Sequence, residues 1–115
     1  MTAGLPSRGE VWLVDLDPVR GHEQAGLRPA LVVSTDVFNH GPAELAVVAP
    51  LTTRDTGNPL HVRVEAAESG LRAASFVKCE DVRSVSRDRL ARRVGVVSRP
   101  SLAAVEDRLR ILLEL

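Results

Sequence analysis

Residues 45–53 of this chain read Leu-Ala-Val-Val-Ala-Pro-Leu-Thr-Thr and include its longest apolar run, residues 45–51. The run is rich in valine, a β-branched residue that favours the pleated surface of a sheet. It is far too short to span a bilayer as a helix, which needs about 20 apolar residues. We therefore interpret it as a β-strand of a packed sheet.

Other short apolar pieces lie on both sides of this run, separated by turn-forming sequences such as Asp-Pro at 17–18 and Glu-Ser-Gly at 68–70. In the piece at 60–66, apolar and polar residues alternate with the period of a half-buried strand, so His61 is expected to face away from the core. Together the pieces predict strands at residues 10–16, 30–34, 45–51, 60–66, 76–85 and 94–97.

The end of the chain has a different periodicity. Apolar residues from Leu102 to Leu113 follow helical spacing, and Ser98 ahead of Pro100 is a suitable helix cap. A weaker helical turn is expected at 86–92. Six short strands with one or two helices predict a mainly β fold, a small, partly open antiparallel barrel with a C-terminal amphipathic helix packed against it.

Length and composition bound the class of protein. The 115 residues, 44% hydrophobic and 26% charged, are typical of one globular domain, here residues 1–115. Fifteen basic and fifteen acidic residues give zero net charge, which argues against a broad cationic surface, so any anion site must be local. A single cysteine excludes an internal disulfide and a multi-cysteine zinc site. With no leader pattern and no membrane-spanning run, we expect a cytoplasmic protein with no membrane contact.

Arg28 and Thr52 stand at the ends of two apolar runs that are close in sequence. Arg28 precedes the first run and Thr52 follows the second. If the runs pair as antiparallel neighbours, the start of one lies beside the end of the other, so both residues share one rim of the sheet. The glycine-bracketed polar segment at 21–26 precedes Arg28 and predicts a mobile flap carrying the carboxylate of Glu23.

An arginine, a hydroxyl and a carboxylate at one rim suit a phosphodiester substrate. The guanidinium matches phosphate oxygens, the hydroxyl donates to them, and the carboxylate can take a proton. The competing interpretation is an ordinary surface ion pair for Arg28. Spacing alone does not choose between the two.

Three segments resemble the MazF/PemK/Kid toxins of bacterial type II toxin–antitoxin pairs: RGEVWLVDLDP at 8–18, GHEQAGLRPALVVS at 21–34 and VAPLTT at 48–53. The resemblance continues in order through GNP at 57–59, the strand near 80–85 and the final helix. It implies an SH3-like barrel of the CcdB/PemK type and a homodimer inhibited by a cognate antitoxin. It also implies an endoribonuclease that needs no metal or other cofactor and cuts single-stranded RNA at short sequences.

The resemblance further implies a mechanism, in which the ribose 2′-hydroxyl attacks the adjacent phosphate and leaves a 2′,3′-cyclic phosphate and a 5′-hydroxyl. Arg28 and Thr52 match the family's catalytic pair, the first as an electrostatic clamp and the second as a hydroxyl donor. Because arginine stays protonated in proteins, Glu23 is the chemically easier base, with a solvated loop carboxylate as the equal alternative. Thr53 points to the opposite strand face, so we choose Thr52.

Ser75, Phe76 and Asp81 match the positions at which the family contacts bases. Asp81 stands where the family often has an amide; it accepts hydrogen bonds only and would favour bases that present an amino group. The alternative is that Asp81 pairs with Arg83 on the same strand face. Further RNA contacts are expected from the flap and from the residues after Thr52, namely His22, Gln24, Thr53 and Arg54.

Histidine and cysteine chemistry is less well supported. No two of His22, His40 and His61 have a spacing that brings them together, so we interpret them as surface residues rather than ribonuclease bases. Cys79 has no marker of a nucleophile and is expected to lie in or near the core.

A toxin of the same fold that binds DNA gyrase, without nuclease chemistry, is the main alternative function. The motif contexts of Arg28 and Thr52 favour the nuclease. The fold alone would not decide, since one fold carries many functions.

Overall fold

The apolar runs of the sequence form strands, and the turn-forming residues lie between them. The computed structural model describes residues 4–16 and 26–115. Its 3-10 turns at Cys79–Asp81 and Arg87–Arg89 precede the last two strands. The described elements in chain order are β1 (Glu10–Val14), β2 (Arg28–Val32), α1 (Asp36–Asn39), β3 (Leu45–Thr52), β4 (His61–Val64), α2 (Ala66–Ser69), β5 (Ser75–Lys78), β6 (Arg83–Ser86), β7 (Leu90–Val96) and α3 (Arg99–Leu113).

The described strands form one antiparallel sheet in the order β4-β5-β3-β2-β1-β7, and β6 pairs with β3 outside this path. β3 is the central strand, because it pairs with β2 along one edge and with β5 and β6 along the other. β4 and β7 end the path and are not paired with each other. The result is the mainly β, partly open barrel that the sequence predicted.

Alternation of side chains along the strands gives the sheet two apolar faces. The helix-side face packs against α3 and contains Val11, Leu31, Ala49, Leu51, Val62, Val64 and Val77. The far face contains Trp12, Val14, Leu16, Ala30, Val32, Val48, Val85 and Leu90.

The C-terminal helix begins and packs as the sequence predicted. The Ser98 hydroxyl accepts a hydrogen bond from the Ser101 backbone N–H at 3.2 Å, and Pro100 follows in the first turn. Val105 is fully buried against the helix-side face. Among the described residues, no helix is long and apolar enough to cross a bilayer.

The carboxylate of Glu68 in α2 holds the start of α3. One of its oxygens accepts from the Ser98 backbone N–H at 2.7 Å and the other from the Ser101 hydroxyl at 3.0 Å. Partial burial acts to raise the pKa of Glu68, but these hydrogen bonds and one from the Glu65 backbone outweigh it, so the pKa is lowered.

Two glycines allow the backbones of α2 and β7 to meet directly. Gly70 ends α2 with φ of 79°, and a Cβ there would lie 1.8 Å from the Val94 carbonyl oxygen. At Gly95 in β7, a Cβ would lie 2.2 Å from the Ser69 carbonyl oxygen. Neither position has room for a side chain.

The structure corrects the prediction in three places. The run at 76–85, predicted as one strand, is divided into β5 and β6 by the Cys79–Asp81 turn. β5 pairs with the end of β3 and β6 with its beginning, so the chain must step along β3 between them. The helical turn expected at 86–92 is a 3-10 turn of three residues followed by β7. The short helices α1 and α2 were not predicted.

Replacing Glu68 by Gln should destabilise the fold by about 1 kcal/mol at pH 7, because an amide cannot accept from both serines. The lowered pKa means that the carboxylate stabilises the folded state above the unfolded-state pKa of about 4.3. That contribution is lost as the pH falls through the folded-state value. Thermal melting of both proteins from pH 7 to pH 3 should show the difference closing.

The matched control is Asp107→Asn, which alters an exposed carboxylate further along α3 and should change stability by less than about 0.5 kcal/mol. A Glu68→Gln difference that is constant with pH would contradict this account of the Glu68 carboxylate.

Candidate active site

A cleft of about 260 Å³ lies at the rim of the sheet where β2 begins and β3 ends. It receives side chains from β2, β3, β5 and β6 and from the segments that follow β1 and β5. Its lining residues are Leu16, Arg28, Pro50, Leu51, Thr52, Lys78, Asp81 and Arg83.

Arg28 and Thr52 both line this cleft and lie side by side on adjacent strands because of the pairing of β2 with β3. Ala30 pairs with Pro50, and the same register continued by two residues sets Arg28 opposite Thr52. Directly opposed residues of an antiparallel pair project from the same face. Arg28 is exposed, and no carboxylate within residues 4–16 and 26–115 forms an ion pair with it. Its guanidinium is therefore available to an anion.

The hydroxyl of Thr52 is held by the chain that follows it. Its Oγ1 accepts a hydrogen bond from the Arg54 backbone N–H at 3.1 Å, and the side chain is half-buried. This contact uses the oxygen as acceptor and leaves the hydroxyl proton to donate. Thr53 is exposed and does not line the cleft, as expected for the neighbouring residue of a strand end.

The charge of the cleft is positive although the chain is neutral. Its lining contains three bases, Arg28, Lys78 and Arg83, and one acid, Asp81. The difference is a formal excess of two positive charges around a small, partly apolar space. Such a site favours an anion with several oxygens, for example a phosphodiester.

The alternative interpretation of Asp81, an ion pair with Arg83, is wrong. Asp81 lies 3.8 Å from the Lys78 ammonium, and the Arg83 guanidinium donates to the Leu16 carbonyl oxygen at 3.0 Å. The reason is that Asp81 belongs to the 3-10 turn and not to the strand that carries Arg83. Asp81 itself is exposed at the cleft.

The two residues expected to contact bases from the start of β5 have different environments. Ser75 is only 1% exposed, and its hydroxyl donates to the Ala73 carbonyl oxygen at 3.2 Å. Burial thus removes the Ser75 side chain from the RNA-contacting set. Phe76 is half-buried, pairs with Thr52 in the β3–β5 register, and projects from the far face of the sheet.

The predicted flap residues His22, Glu23 and Gln24 lie outside the described residues. Of the other histidines, His40 is exposed and contacts the Pro6 carbonyl oxygen at 2.7 Å through Nε2. Neither His40 nor His61 lines the cleft.

The expectation that His61 is an ordinary surface residue is wrong. Its side chain is 6% exposed, and Nε2 lies 2.9 Å from the Glu80 carboxylate, while Nδ1 is buried without a hydrogen-bond partner among the described residues. Strand alternation does turn it away from the helix-side core, but neighbouring structure covers it. Partial burial acts to raise the pKa of Glu80, but hydrogen bonds, chiefly from His61, outweigh it and lower the pKa.

Sequence reasoning missed Lys78 and Arg83 as parts of the site. Lys78 is two residues after Phe76 in a strand, so period-2 alternation would have placed both on the same face. Arg83 reaches the cleft because β6 pairs with the beginning of β3, which no local pattern reveals.

Metal and thiol chemistry have little support in the described part of the chain. There, no group of three or more His, Cys, Asp or Glu side chains could hold a metal ion. Cys79 is fully buried, and burial together with the charge of Glu80 raises the pKa of its thiol to about 11. The thiol is therefore protonated at neutral pH and is not a nucleophile.

Comparison with known proteins places the chain among relatives of known family. Residues 7–113 match the model of the family described as "PemK-like, MazF-like toxin of type II toxin-antitoxin system". The chain is similar to Endoribonuclease MazF9 of Mycobacterium tuberculosis, 38% identical over 113 residues that cover 94% of this chain and 96% of the relative. It is 33% identical over 110 residues to Endoribonuclease EndoA of Bacillus subtilis, covering 94% of each chain.

A solved structure has the same fold along nearly its whole length. The crystal structure of a MazE–MazF complex from Deinococcus radiodurans superposes with a TM-score of 0.84 at 32% identity, covering 96% of this chain and 97% of that one. The similarity therefore extends well beyond the cleft.

The Cys79 thiol should react with a disulfide reagent at pH 8 at least about 100-fold more slowly in the folded protein than in guanidinium chloride. The reason is the combination of burial and raised pKa. Absorbance of the released thiolate measures both rates, and equal rates would contradict the buried, protonated thiol.

Proposed function

This chain belongs to the family of PemK-like, MazF-like toxins of type II toxin–antitoxin systems, and we propose that its cleft cleaves single-stranded RNA with Arg28 and Thr52 acting on the scissile phosphate. The relatives are named endoribonucleases, and RNA cleavage is the activity of this chain as well. The observation that carries the site assignment is the side-by-side placement of Arg28 and Thr52 in a positively charged cleft.

The ribose 2′-hydroxyl is the nucleophile. A bond forms between the 2′-oxygen and the adjacent phosphorus, and the bond from phosphorus to the 5′-oxygen breaks. The 2′-proton leaves to a base, and the 5′-oxygen gains a proton, giving a 2′,3′-cyclic phosphate and a 5′-hydroxyl. What the protein supplies is alignment, proton transfer and stabilisation of the charge on the five-coordinate phosphorus.

Arg28 and Thr52 have different roles at the scissile phosphate. The exposed guanidinium of Arg28 can bind two phosphate oxygens through its planar fork and stabilise the charge that grows there. The Thr52 hydroxyl, oriented by the Arg54 backbone N–H, donates to a nonbridging oxygen. Arginine stays charged throughout, so a carboxylate is the better proton acceptor, and we assign that role to Glu23.

Other residues around the cleft hold the RNA. Asp81, an acceptor at the cleft wall, selects bases that present an amino group, and Phe76 offers a ring beside Thr52. Thr53 and Arg54 are exposed just beyond the site and contact the strand of RNA. His22 and Gln24 complete the proposed set from the segment that precedes Arg28.

The positive charge of the cleft also suggests how an antitoxin would bind. A cognate antitoxin would cover the cleft with an acidic segment whose carboxylates occupy the positions of phosphates. The solved relative is a MazE–MazF structure. We further propose that the chain works as a homodimer in the cytoplasm, where its RNA substrates are found.

Arg28→Ala should lower kcat/KM for RNA cleavage about 100- to 1,000-fold while leaving the melting temperature nearly unchanged, because an exposed side chain contributes little to packing. Arg28→Lys should recover little activity, since a point charge lacks the fork. Thr52→Val should lose activity and Thr52→Ser should keep most of it. The measurement is cleavage of long single-stranded RNA in EDTA, with both ends of each product mapped.

The control for these variants is Arg99→Ala, which removes an exposed arginine from the start of α3 on the opposite side of the sheet. Wild-type rates in Arg28→Ala would remove Arg28 from the mechanism. Products with 3′-hydroxyl ends would exclude attack by the 2′-hydroxyl.

A peptide of the cognate antitoxin that carries its acidic segment should compete with RNA for the cleft. Fluorescence anisotropy of a labelled 2′-O-methyl RNA, which lacks the nucleophile, reports displacement by the peptide. Inhibition should weaken with added salt, because exposed charges are screened over about 8 Å at physiological ionic strength. A ternary complex with the RNA still held in the cleft would place the antitoxin elsewhere.

A further inference from the structure

Four side chains form a row across adjacent strands of the far face. Thr52 in β3 pairs with Phe76 in β5, and Phe76 pairs with Arg63 in β4. The β2–β3 register sets Arg28 on the other side of Thr52. Opposed residues share a face, and neighbouring strands are about 4.8 Å apart, so Arg63 lies about 10 Å from Thr52. One or two nucleotides of an extended RNA strand span that distance.

Phe76 is the aromatic ring best placed to meet a base. The chain has one tryptophan and two phenylalanines; Trp12 is 4% exposed, and Phe38 belongs to α1, away from this row. Phe76 is half-buried beside Thr52, and the guanidinium carbon of Arg63 lies 6.0 Å from its ring centroid. That distance is at the outer limit of a cation–π contact, so little energy opposes its separation.

Arg63 is held in place by a neighbour that a phosphate can replace. Its Nε lies 3.0 Å from the Glu65 carboxylate, and both side chains are largely exposed, at 57% and 63%. An exposed pair of this kind contributes little to stability, because solvent screens both charges. A phosphate offers the guanidinium the same hydrogen-bond geometry with more oxygens and more charge.

We propose that Arg63 binds the phosphate of the nucleotide whose base meets Phe76, so that the base contact already proposed at Phe76 becomes part of a second nucleotide-binding subsite next to the scissile phosphate. On binding, Arg63 leaves Glu65 for the phosphate of that nucleotide, and the uncovered ring of Phe76 stacks with its base. Glu65 then acts as an internal competitor that weakens RNA binding. This inference rests on the proposed function, because it needs the RNA strand to pass through the Arg28–Thr52 cleft.

The test is steady-state cleavage of a short single-stranded RNA containing a mapped cut site, by the full chain and three variants. Arg63→Gln should raise KM about 5-fold or more with kcat unchanged, and should lower the slope of log KM against log salt by about 0.7, the loss of one phosphate contact. Phe76→Leu keeps the apolar volume and should raise KM by a similar factor. Glu65→Gln should lower KM, while its amide oxygen keeps the capping contact at the start of α2.

Modified RNAs separate the two contacts. An abasic nucleotide at the subsite should abolish the difference between wild type and Phe76→Leu but keep the Arg63→Gln effect. A methylphosphonate in place of the phosphate of that nucleotide should abolish the Arg63→Gln effect but keep the difference between wild type and Phe76→Leu. Scanning both changes along the nucleotides that flank the cut site locates the subsite, and Arg99→Gln should behave as wild type on every RNA.

Normal cleavage by the wild type with KM unchanged in Arg63→Gln and Glu65→Gln would overturn the subsite and leave the proposed function standing. A fall in kcat for Arg63→Gln that persists at every RNA length would place Arg63 in the chemical step instead, which also overturns it. Failure of the wild-type chain to cleave RNA would overturn the proposed function, and the subsite with it.

Discussion

The pairing of β3 along both of its edges is the constraint on which the rest of the structure depends. Side chains alternate strictly along a strand, so a slip of one residue would exchange Thr52 with Leu51 at the cleft. The slip would also expose Ala49 and Leu51, which lie in the helix-side core. Burial of apolar residues on both faces therefore fixes the position of Thr52, whose hydroxyl, proposed to be catalytic, is then oriented by the Arg54 backbone N–H.

The elements that the sequence predicted correctly are those that form because of a local pattern of apolar residues. The period-2 and helical repeats of the sequence predicted the apolar strands and α3, because burial of those residues drives the elements to form. The same reasoning placed Arg28 beside Thr52, since two neighbouring apolar runs with a short connection pair antiparallel.

The remaining features depend on distant parts of the chain. The break between β5 and β6 arises because the two strands pair with opposite ends of β3, which no feature within 76–85 discloses. α1 and α2 have only four residues each, too few for a periodic signal. The burial of His61 and the reach of Arg83 likewise depend on tertiary packing. The ion-pair partner of Asp81 was predicted incorrectly because Asp81 lies in a 3-10 turn instead of the expected strand.

Although the chain is neutral, the described cations near the cleft differ in whether an acidic neighbour opposes their charge. On the β4–β5 side of the far face, Arg63 and Lys78 each have an acidic neighbour, whereas Arg28 has no carboxylate partner among the described residues. A phosphate approaching this surface therefore meets less opposed positive charge at Arg28 than at Arg63 or Lys78. A phosphate bound at Arg63 or Lys78 would first have to displace an acid, so these two positions would bind RNA less tightly than an unopposed cation.

The direct meeting of α2 and β7 at Gly70 and Gly95 limits how this fold can vary over evolutionary time. Any side chain at either position would collide with a carbonyl oxygen of the other element, so neither glycine can be substituted without a shift of the backbone. An insertion into α2 would also move Glu68 away from the start of α3, where its carboxylate accepts from Ser98 and Ser101. Lineages can diversify more easily at the exposed connection between β3 and β4, which lies beside the cleft. Substitutions should therefore be tolerated better beside the proposed RNA-binding cleft than at this glycine junction.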